Sequence, residues 1–173
     1  MSGSYGIPTD MGHGVLIASS FLTHPRKPMT NVTRSESVLR AYRVGTIVNV
    51  ASDVEANDLH LEMYRRLGIT YYNMPIDDVT EKAPPAEFFE LIRAVQREHE
   101  NKVAQSSGDG NKTILFNCQM GINRSALAAF TVLRQKTSLK ADELLVDMRQ
   151  RQHEQRSLVL LTNPLFVNVA RAL

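Results

Sequence analysis

Short apolar runs alternate with amphipathic segments along the chain, which is the pattern of an α/β layer structure. Runs rich in β-branched and aromatic residues predict strands at 15–18, 46–51, 69–74 and 113–117. Apolar residues at helical spacing predict helices over 35–42, 55–67, 85–95, 125–135, 138–148 and 165–173. Asn163 and Pro164 form an N-cap and first-turn pair for the last helix. The pattern therefore predicts an α/β fold.

The spacing of these elements indicates one domain over residues 1–173. Residues 1–13 carry no periodic pattern and are expected to be flexible. Residues 22–34 contain two prolines among polar side chains and are expected to form a loop. Residues 98–112 are polar and end in a glycine-bearing stretch, so we expect a flexible insertion there.

Composition narrows the class of protein. Hydrophobic residues make up 43% and charged residues 22% of the 173 residues, which excludes a disordered tail or a fibrous rod. The net charge of +2 gives no support for nucleic-acid binding. No run approaches the length of a transmembrane helix, and no signal peptide is recognisable. We expect a cytoplasmic protein, or a nuclear one, with no nucleic-acid or membrane partner.

The chain contains one cysteine, Cys118, so it can form no internal disulfide and no cysteine-rich zinc site. A single cysteine also suggests a reducing compartment. The five histidines lack metal-ligand spacing and are expected at the surface or at helix caps. We therefore expect neither a metal nor another cofactor.

Cys118 stands between a predicted strand and a predicted helix, at the start of the segment Cys118-Gln119-Met120-Gly121-Ile122-Asn123-Arg124-Ser125. A tight loop at a helix N-terminus directs several backbone N–H groups at one point and binds phosphate. Gly121 allows close backbone approach, and Arg124 offers a planar pair of donors for phosphate oxygens. The same field favours the nucleophilic thiolate of Cys118. A lone cysteine is more often an inert core residue, but the neighbouring glycine, arginine and serine favour a reactive one.

The order cysteine, five residues, arginine, serine resembles the signature loop of the cysteine-dependent protein tyrosine phosphatases. The chain length and the Arg124-Ser125 ending are similar to the dual-specificity phosphatase family. Three further segments resemble that family's second strand, its approach to the general-acid loop and the start of its last helix: 45–51, 72–78 and 162–166. Residues 131–134 depart from the kinase-directed subgroup, so the resemblance is to an atypical member.

The resemblance implies a three-layer fold with a mostly parallel sheet of four to five strands flanked by helices. It implies that Cys118 attacks phosphorus and forms a phosphocysteine intermediate, and that Ser125 assists its breakdown. Arg124 and the loop residues Gln119, Met120, Gly121, Ile122 and Asn123 would bind the phosphoryl group without a metal. A loop aspartate would serve as general acid and then general base. Alignment with the family favours Asp78 for this role, with Asp77 as the alternative.

The family usually has histidine immediately before the nucleophile, whereas this chain has Asn117. Because asparagine carries no charge, we hypothesise that Cys118 is less fully ionised and the enzyme slower near neutral pH than is usual. The alternative is that Asn117 preserves a structural hydrogen bond at little cost.

The loop between Cys118 and Arg124 contains no basic residue, which favours a phosphoprotein substrate with one phosphate. The resemblance then implies hydrolysis of phosphotyrosine and of phosphoserine or phosphothreonine. Two other functions remain consistent with the sequence. One is a phosphoprotein-binding pseudophosphatase with weak turnover, and the other is a phosphatase that acts on a phosphoinositide or an RNA 5′-phosphate.

Overall fold

A computed structural model describes residues 6–173, which form a five-stranded sheet with helices on both faces. The strands are β1 (Thr9–Asp10), β2 (Val15–Ser19), β3 (Val44–Ala51), β4 (Thr70–Ile76) and β5 (Thr113–Cys118). The sheet order is β1-β2-β5-β3-β4, and only β1 runs antiparallel to its neighbour. This confirms the predicted three-layer fold with a mostly parallel sheet.

The helices of the described residues are α1 (Ser20–Thr23), α2 (Met29–Ala41), α3 (Asp58–Leu67), α4 (Ala86–Gln105), α5 (Arg124–Lys136), α6 (Ala141–Arg156) and α7 (Pro164–Ala172). Alternate residues of the central strands point to opposite faces of the sheet. On β5, Ile114 and Phe116 join a core with α4 to α7, whereas Leu115 joins a second core with α2 and α3. Both faces are covered, and the strands therefore appear in the sequence as continuous apolar runs.

The parallel register brings the carboxyl ends of the central strands to one edge of the sheet. Ser19 of β2 pairs with Cys118 of β5, and Asn49 of β3 pairs with both Asn117 of β5 and Asn73 of β4. Ligands of open α/β sheets bind at this edge, where the loops leave the strands. The site must therefore be sought around Cys118.

The structure corrects two predicted boundaries. Helix α2 begins at Met29, not at Ser35, and helix α4 continues to Gln105 through part of the segment predicted as an insertion. In both helices, polar side chains take inward positions and hide the helical pattern: Ser35 in α2, and Gln96 and His99 in α4. The polar connection to β5 begins only at Ser106.

The structure describes only part of the segment 1–13 that was predicted to be flexible. Residues 1–5 of the segment predicted to be flexible lie outside the described residues. Within the same segment, Thr9–Asp10 form strand β1, and the Thr9 hydroxyl donates to the Oε1 of buried Gln152 at 2.5 Å. Long-range bonds to α6, which no local pattern reveals, thus order residues that look unstructured in the sequence.

The prediction that the histidines lie at the surface or at helix caps was wrong for His24 and His99, which are each 6% exposed, while His60 is buried at 5%. His60 does cap a helix, since its Nδ1 accepts from the backbone N–H of Asn57. His99 reaches Thr46 Oγ1 at 2.8 Å with its other ring nitrogen near the carbonyl of Lys112. These rings are buried because each finds polar partners inside the fold.

Candidate active site

Cys118 is the last residue of β5 and is 2% exposed. Its Sγ lies 3.2 Å from the Oγ of Ser125, which is fully buried in the first turn of α5. A hydroxyl at this distance can donate a hydrogen bond to a thiolate and stabilise its negative charge. The strand and the helix therefore bring the two predicted residues together.

The carbonyl oxygens of the loop after Cys118 point away from its centre. Four consecutive carbonyls accept hydrogen bonds from outside the loop. These pairs are Gln119 with Ser20 N (3.2 Å), Met120 with Arg156 Nη2 (3.4 Å), Gly121 with Gln152 Nε2 (3.1 Å) and Ile122 with Leu161 N (3.0 Å). Because C=O and N–H point in opposite directions across a trans peptide, the N–H groups of residues 120–123 face inward. Successive inward N–H groups form an anion-binding concavity.

Gly121 is required by the shape of this loop. Its φ is +70°, and a Cβ added there would lie 2.8 Å from the carbonyl carbon of Ala18. The loop therefore passes against the backbone of β2 with no room for a side chain. The sequence argument for close backbone approach at Gly121 agrees with this geometry.

Arg124 begins α5 and is 6% exposed. Its Nη1 donates to the Oδ1 of Asp53 at 2.9 Å, to Ser52 Oγ at 3.4 Å and to the carbonyl of Ile76 at 3.5 Å. Its Nε is buried and has no hydrogen-bond partner within residues 6–173. One edge of the guanidinium is thus fixed, and an orphaned buried donor remains for an anion.

Sequence reasoning missed Asp53. It lies two residues after the end of β3, at the carboxyl end of the strand next to β5, and this position is the signal that could have found it. The Asp53 side chain is 41% exposed, so its carboxylate contacts both solvent and the buried guanidinium of Arg124.

Asp78 contacts the loop through Asn123. Asn123 Nδ2 donates to Asp78 Oδ2 at 3.0 Å, and Asn163 Nδ2 donates to Asp78 Oδ1 at 2.8 Å. Asn123 Oδ1 in turn accepts from the backbone N–H groups of Thr162 and Asn163. Asp77 makes none of these contacts, and it lines a cavity that the same loop borders. Of the two candidate acids, the fold brings Asp78 beside the loop.

Asn117 belongs to a row of three asparagines across β5, β3 and β4. Asn117 Nδ2 donates to Asn49 Oδ1 at 2.8 Å, and Asn49 Nδ2 donates to Asn73 Oδ1 at 2.8 Å. Asn49 Nδ2 also donates to the carbonyl of Val54, which fixes the orientation of its amide. The Oδ1 of buried Asn117 consequently has no partner in the described part of the chain. Asn117 therefore joins β5 to β3 through a side-chain hydrogen bond.

A buried aromatic cluster supports the segment that follows β2. His24 contacts Thr23 Oγ1 at 2.8 Å and Tyr71 OH at 3.2 Å, and its ring lies 5.1 Å from that of His60. Burial, together with the nearby His60, lowers the pKa of His24 to about 3. His24 is therefore neutral at physiological pH and acts structurally.

Two findings bear on cofactors and membranes. Among residues 6–173, no three His, Cys, Asp or Glu side chains come together as a metal site requires. No helix in that range combines the length and the hydropathy needed to cross a bilayer.

The fold is similar to the folds of solved protein tyrosine phosphatases. Similar solved structures include Tk-PTP in its active form (19% identity, TM-score 0.65, 99% of this chain and 97% of that one). The Yvh1 phosphatase domain from Chaetomium thermophilum matches at 16% identity and TM-score 0.64, over 96% and 94% of the two chains. The human tyrosine phosphatase-like serine/threonine/tyrosine-interacting protein matches at 12% and 0.66, over 96% and 95%. No protein-family model and no curated protein sequence matches the chain.

Proposed function

We propose that the protein is a phosphoprotein phosphatase that hydrolyses phosphotyrosine and phosphoserine or phosphothreonine through a phosphocysteine intermediate. The observation that carries the proposal is the loop after Cys118, whose carbonyls at 119–122 are all bonded outward. Such a loop is preorganised for an anion before any substrate arrives, and it costs no rearrangement during the reaction. The buried Nε of Arg124 adds a charged donor that has no partner among the described residues.

In the first step, the thiolate of Cys118 attacks phosphorus and the bond from phosphorus to the substrate oxygen breaks. Asp78 gives its proton to the departing oxygen, and the hydroxyl product leaves. Arg124 and the loop N–H groups stabilise the charge on the transferring phosphoryl oxygens. The contacts of Asp78 with Asn123 and Asn163 support this role, because they tie the carboxylate to the phosphate loop.

In the second step, Asp78 removes a proton from water, and the water oxygen attacks the phosphorus of phosphocysteine. The sulfur leaves as a thiolate, and inorganic phosphate is released. The Ser125 hydroxyl, 3.2 Å from Sγ, stabilises that thiolate by donating a hydrogen bond. The cycle returns Cys118 and Asp78 to their starting protonation states.

The loop residues Gln119, Met120, Ile122 and Asn123 bring no charge to the anion site, which supports a substrate with one phosphate. A lone cysteine nucleophile requires reducing conditions, which supports the cytoplasm or nucleus as its location. Phosphoinositides and RNA 5′-phosphates are the alternative substrates, and they should be assayed beside the phosphopeptides.

The test is hydrolysis of p-nitrophenyl phosphate between pH 5 and 8, with Cys118→Ser as the control. We expect release by the wild type only, and a phosphorylated Cys118 trapped by rapid acid quenching. Phosphotyrosine and phosphoserine peptides should be turned over faster than phosphoinositides or RNA ends. Cysteine-independent release, or none at any pH, would rule out the proposed catalysis.

A phosphoprotein-binding protein is the second candidate, and Asn117 is the observation that favours it. Its buried Oδ1 lacks a donor among residues 6–173, and the residue cannot supply positive charge beside the nucleophile. Absent turnover together with tight binding of phosphopeptides by the wild type would select this candidate.

A further inference from the structure

A cavity of about 430 Å³ opens behind the loop that carries Asp77 and Asp78. Its walls are mainly apolar and come from the end of β4, from the loop and from the first turns of α4. Val79 and Leu91, which both line it, are 37% and 51% exposed. Large apolar side chains that face solvent around a concave surface are typical of a binding site.

The charges along the cavity favour a cation. Asp77 and Glu87 line it together with Lys82, the only basic residue among its described lining, so carboxylates predominate. Neither Asp77 nor Glu87 forms an ion pair or a side-chain hydrogen bond within residues 6–173. A lysine or arginine side chain combines an apolar stem with a cationic head, and it fits apolar walls next to free carboxylates.

The cavity lies next to the proposed active site. Ile76 lines the cavity, and its carbonyl oxygen lies 3.5 Å from Nη1 of Arg124. Asp77 lines it as well, and the next residue, Asp78, accepts a hydrogen bond from Asn123 of the phosphate loop. A chain whose phosphate reached Cys118 would therefore pass close to the opening of the cavity.

The side of the phosphate loop next to α1 is basic, in contrast to the side with the carboxylate-lined cavity. Ser20 contacts Gln119 there, and the segment that follows α1 exposes Arg26 and Lys27 before the first acidic side chain at Glu36. The site thus lies between a basic flank and a carboxylate-lined cavity. Such an arrangement attracts a basic residue to one side and repels it from the other.

We infer that the cavity binds a lysine or arginine side chain of the phosphoprotein substrate, and this inference rests on the proposed function. The protein then selects phosphorylated residues that have a basic residue on one side only. The stem of that residue packs against Val79 and Leu91, and its head group meets Asp77 and Glu87.

The test uses phosphotyrosine peptides in an alanine background, with one arginine placed in turn at four positions on each side of the phosphotyrosine. We expect arginine on one side to raise kcat/KM by about five- to tenfold over the all-alanine peptide, and to have no such effect on the other side. Binding to Cys118→Ser should show the same preference. High salt should reduce it, because both charges are solvent-accessible.

Two matched variants locate the effect. Glu87→Lys reverses a charge that lines the cavity, whereas Glu90→Lys reverses one on the same helix that does not. The ratio of kcat/KM for the preferred arginine peptide to kcat/KM for the all-alanine peptide should fall to about one in Glu87→Lys. The same ratio should stay at the wild-type value in Glu90→Lys.

A ratio near one for every peptide of the wild type, in turnover and in binding alike, would overturn the inference. So would a preference that survives Glu87→Lys. Failure to hydrolyse p-nitrophenyl phosphate would instead count against the proposed function, since the binding measurement with Cys118→Ser does not need turnover.

Discussion

Nη1 of Arg124 lies 2.9 Å from Oδ1 of Asp53, and the arginine side chain is only 8% exposed while the aspartate is 41% exposed. The pair joins the first residue of α5 to the loop that follows β3. Asp53 fixes one edge of the guanidinium, so that Nε keeps its direction although it has no hydrogen-bond partner in the described part of the chain. Asp53 is therefore a positioning residue for Arg124.

Replacing Asp53 should weaken catalysis by releasing that guanidinium. We expect Asp53→Ala to lower kcat/KM for p-nitrophenyl phosphate by about tenfold, since a charged hydrogen bond of this kind contributes about 1.5 kcal/mol or slightly more. Asp53→Asn keeps an acceptor and should recover part of the loss. Glu55→Ala, an exposed change in the same loop, serves as the control. Wild-type activity in Asp53→Ala would show that Arg124 needs no such support.

The two candidate acids can be separated by leaving-group chemistry. Asp78→Asn should lose the alkaline limb of the pH–rate profile and slow substrates with poor leaving groups by about a hundredfold or more. Asp77→Asn should change neither, because Asp77 lacks the contacts with Asn123 and Asn163. The measurement is kcat/KM against pH for a phenyl phosphate and an alkyl phosphate. The opposite pattern would assign the acid to Asp77.

Asn117 allows a test of the charge beside the nucleophile. Asn117→His should raise the fraction of Cys118 present as thiolate near pH 6, because a protonated imidazole stabilises the adjacent negative charge. The measurement is the rate at which iodoacetamide alkylates Cys118 as a function of pH, together with the rate of substrate turnover. Asn117→Gln adds a longer side chain without charge and controls for crowding at this buried position. Identical titrations for the wild type and Asn117→His would refute the hypothesis.

Gly121 offers a steric test of the loop. Gly121→Ala places a Cβ 2.8 Å from the Ala18 backbone in a residue with φ of +70°, so the loop must shift. A displacement near 1 Å at a catalytic centre can cost about a hundredfold in rate, and we expect a loss of that order. Gly108→Ala has φ of +102° but open space around it, and should leave the rate unaltered. Equal rates in the two variants would mean that the loop tolerates the extra atom.

The buried His24 predicts acid sensitivity of the fold. Its pKa is lowered from 6.5 to about 3, chiefly by burial, so the unfolded chain binds a proton between these values and the folded chain does not. The free energy of unfolding therefore falls as pH drops below about 6.5, by up to about 1.4 kcal/mol per pH unit from this group. Urea unfolding of the wild type and His24→Gln at pH 7, 6 and 5 measures it. A slope that is the same in both proteins would exclude His24 as the source.

Much of the site could be predicted because it is contiguous in the chain. Cys118, Gly121, Arg124 and Ser125 lie on one strand–loop–helix turn, so their spacing carries the geometry directly. The cap of α7 was predictable for the same reason, since Asn163 Oδ1 accepts from the N–H of Leu165 two residues later. Strands β2, β3 and β5 were also recognisable, because burial on both faces leaves continuous apolar runs. Strand β4 is only partly buried and was recognisable by its β-branched and aromatic residues.

The lengths of two helices and the supports of the loop could not be predicted. The inward positions of α4 include Gln96 and His99, and the ring of His99 reaches Thr46, which lies 53 positions away in the sequence. Likewise, Gln152 reaches the carbonyl of Gly121 across thirty-one positions of sequence, and no local pattern marks a residue that bonds at that distance.

The sequence by itself determined the candidate nucleophile, the candidate phosphate loop and the layered α/β class, because these follow from local spacing and from burial on two faces. Only the tertiary structure decided what fixes Arg124, which aspartate contacts the loop and where the carbonyls of the loop find donors. Each of these depends on segments brought together at the carboxyl edge of the sheet by parallel register. Long-range pairing of this kind depends on the packing of the whole chain, so residues such as Asp53 acquire their role only in the folded protein.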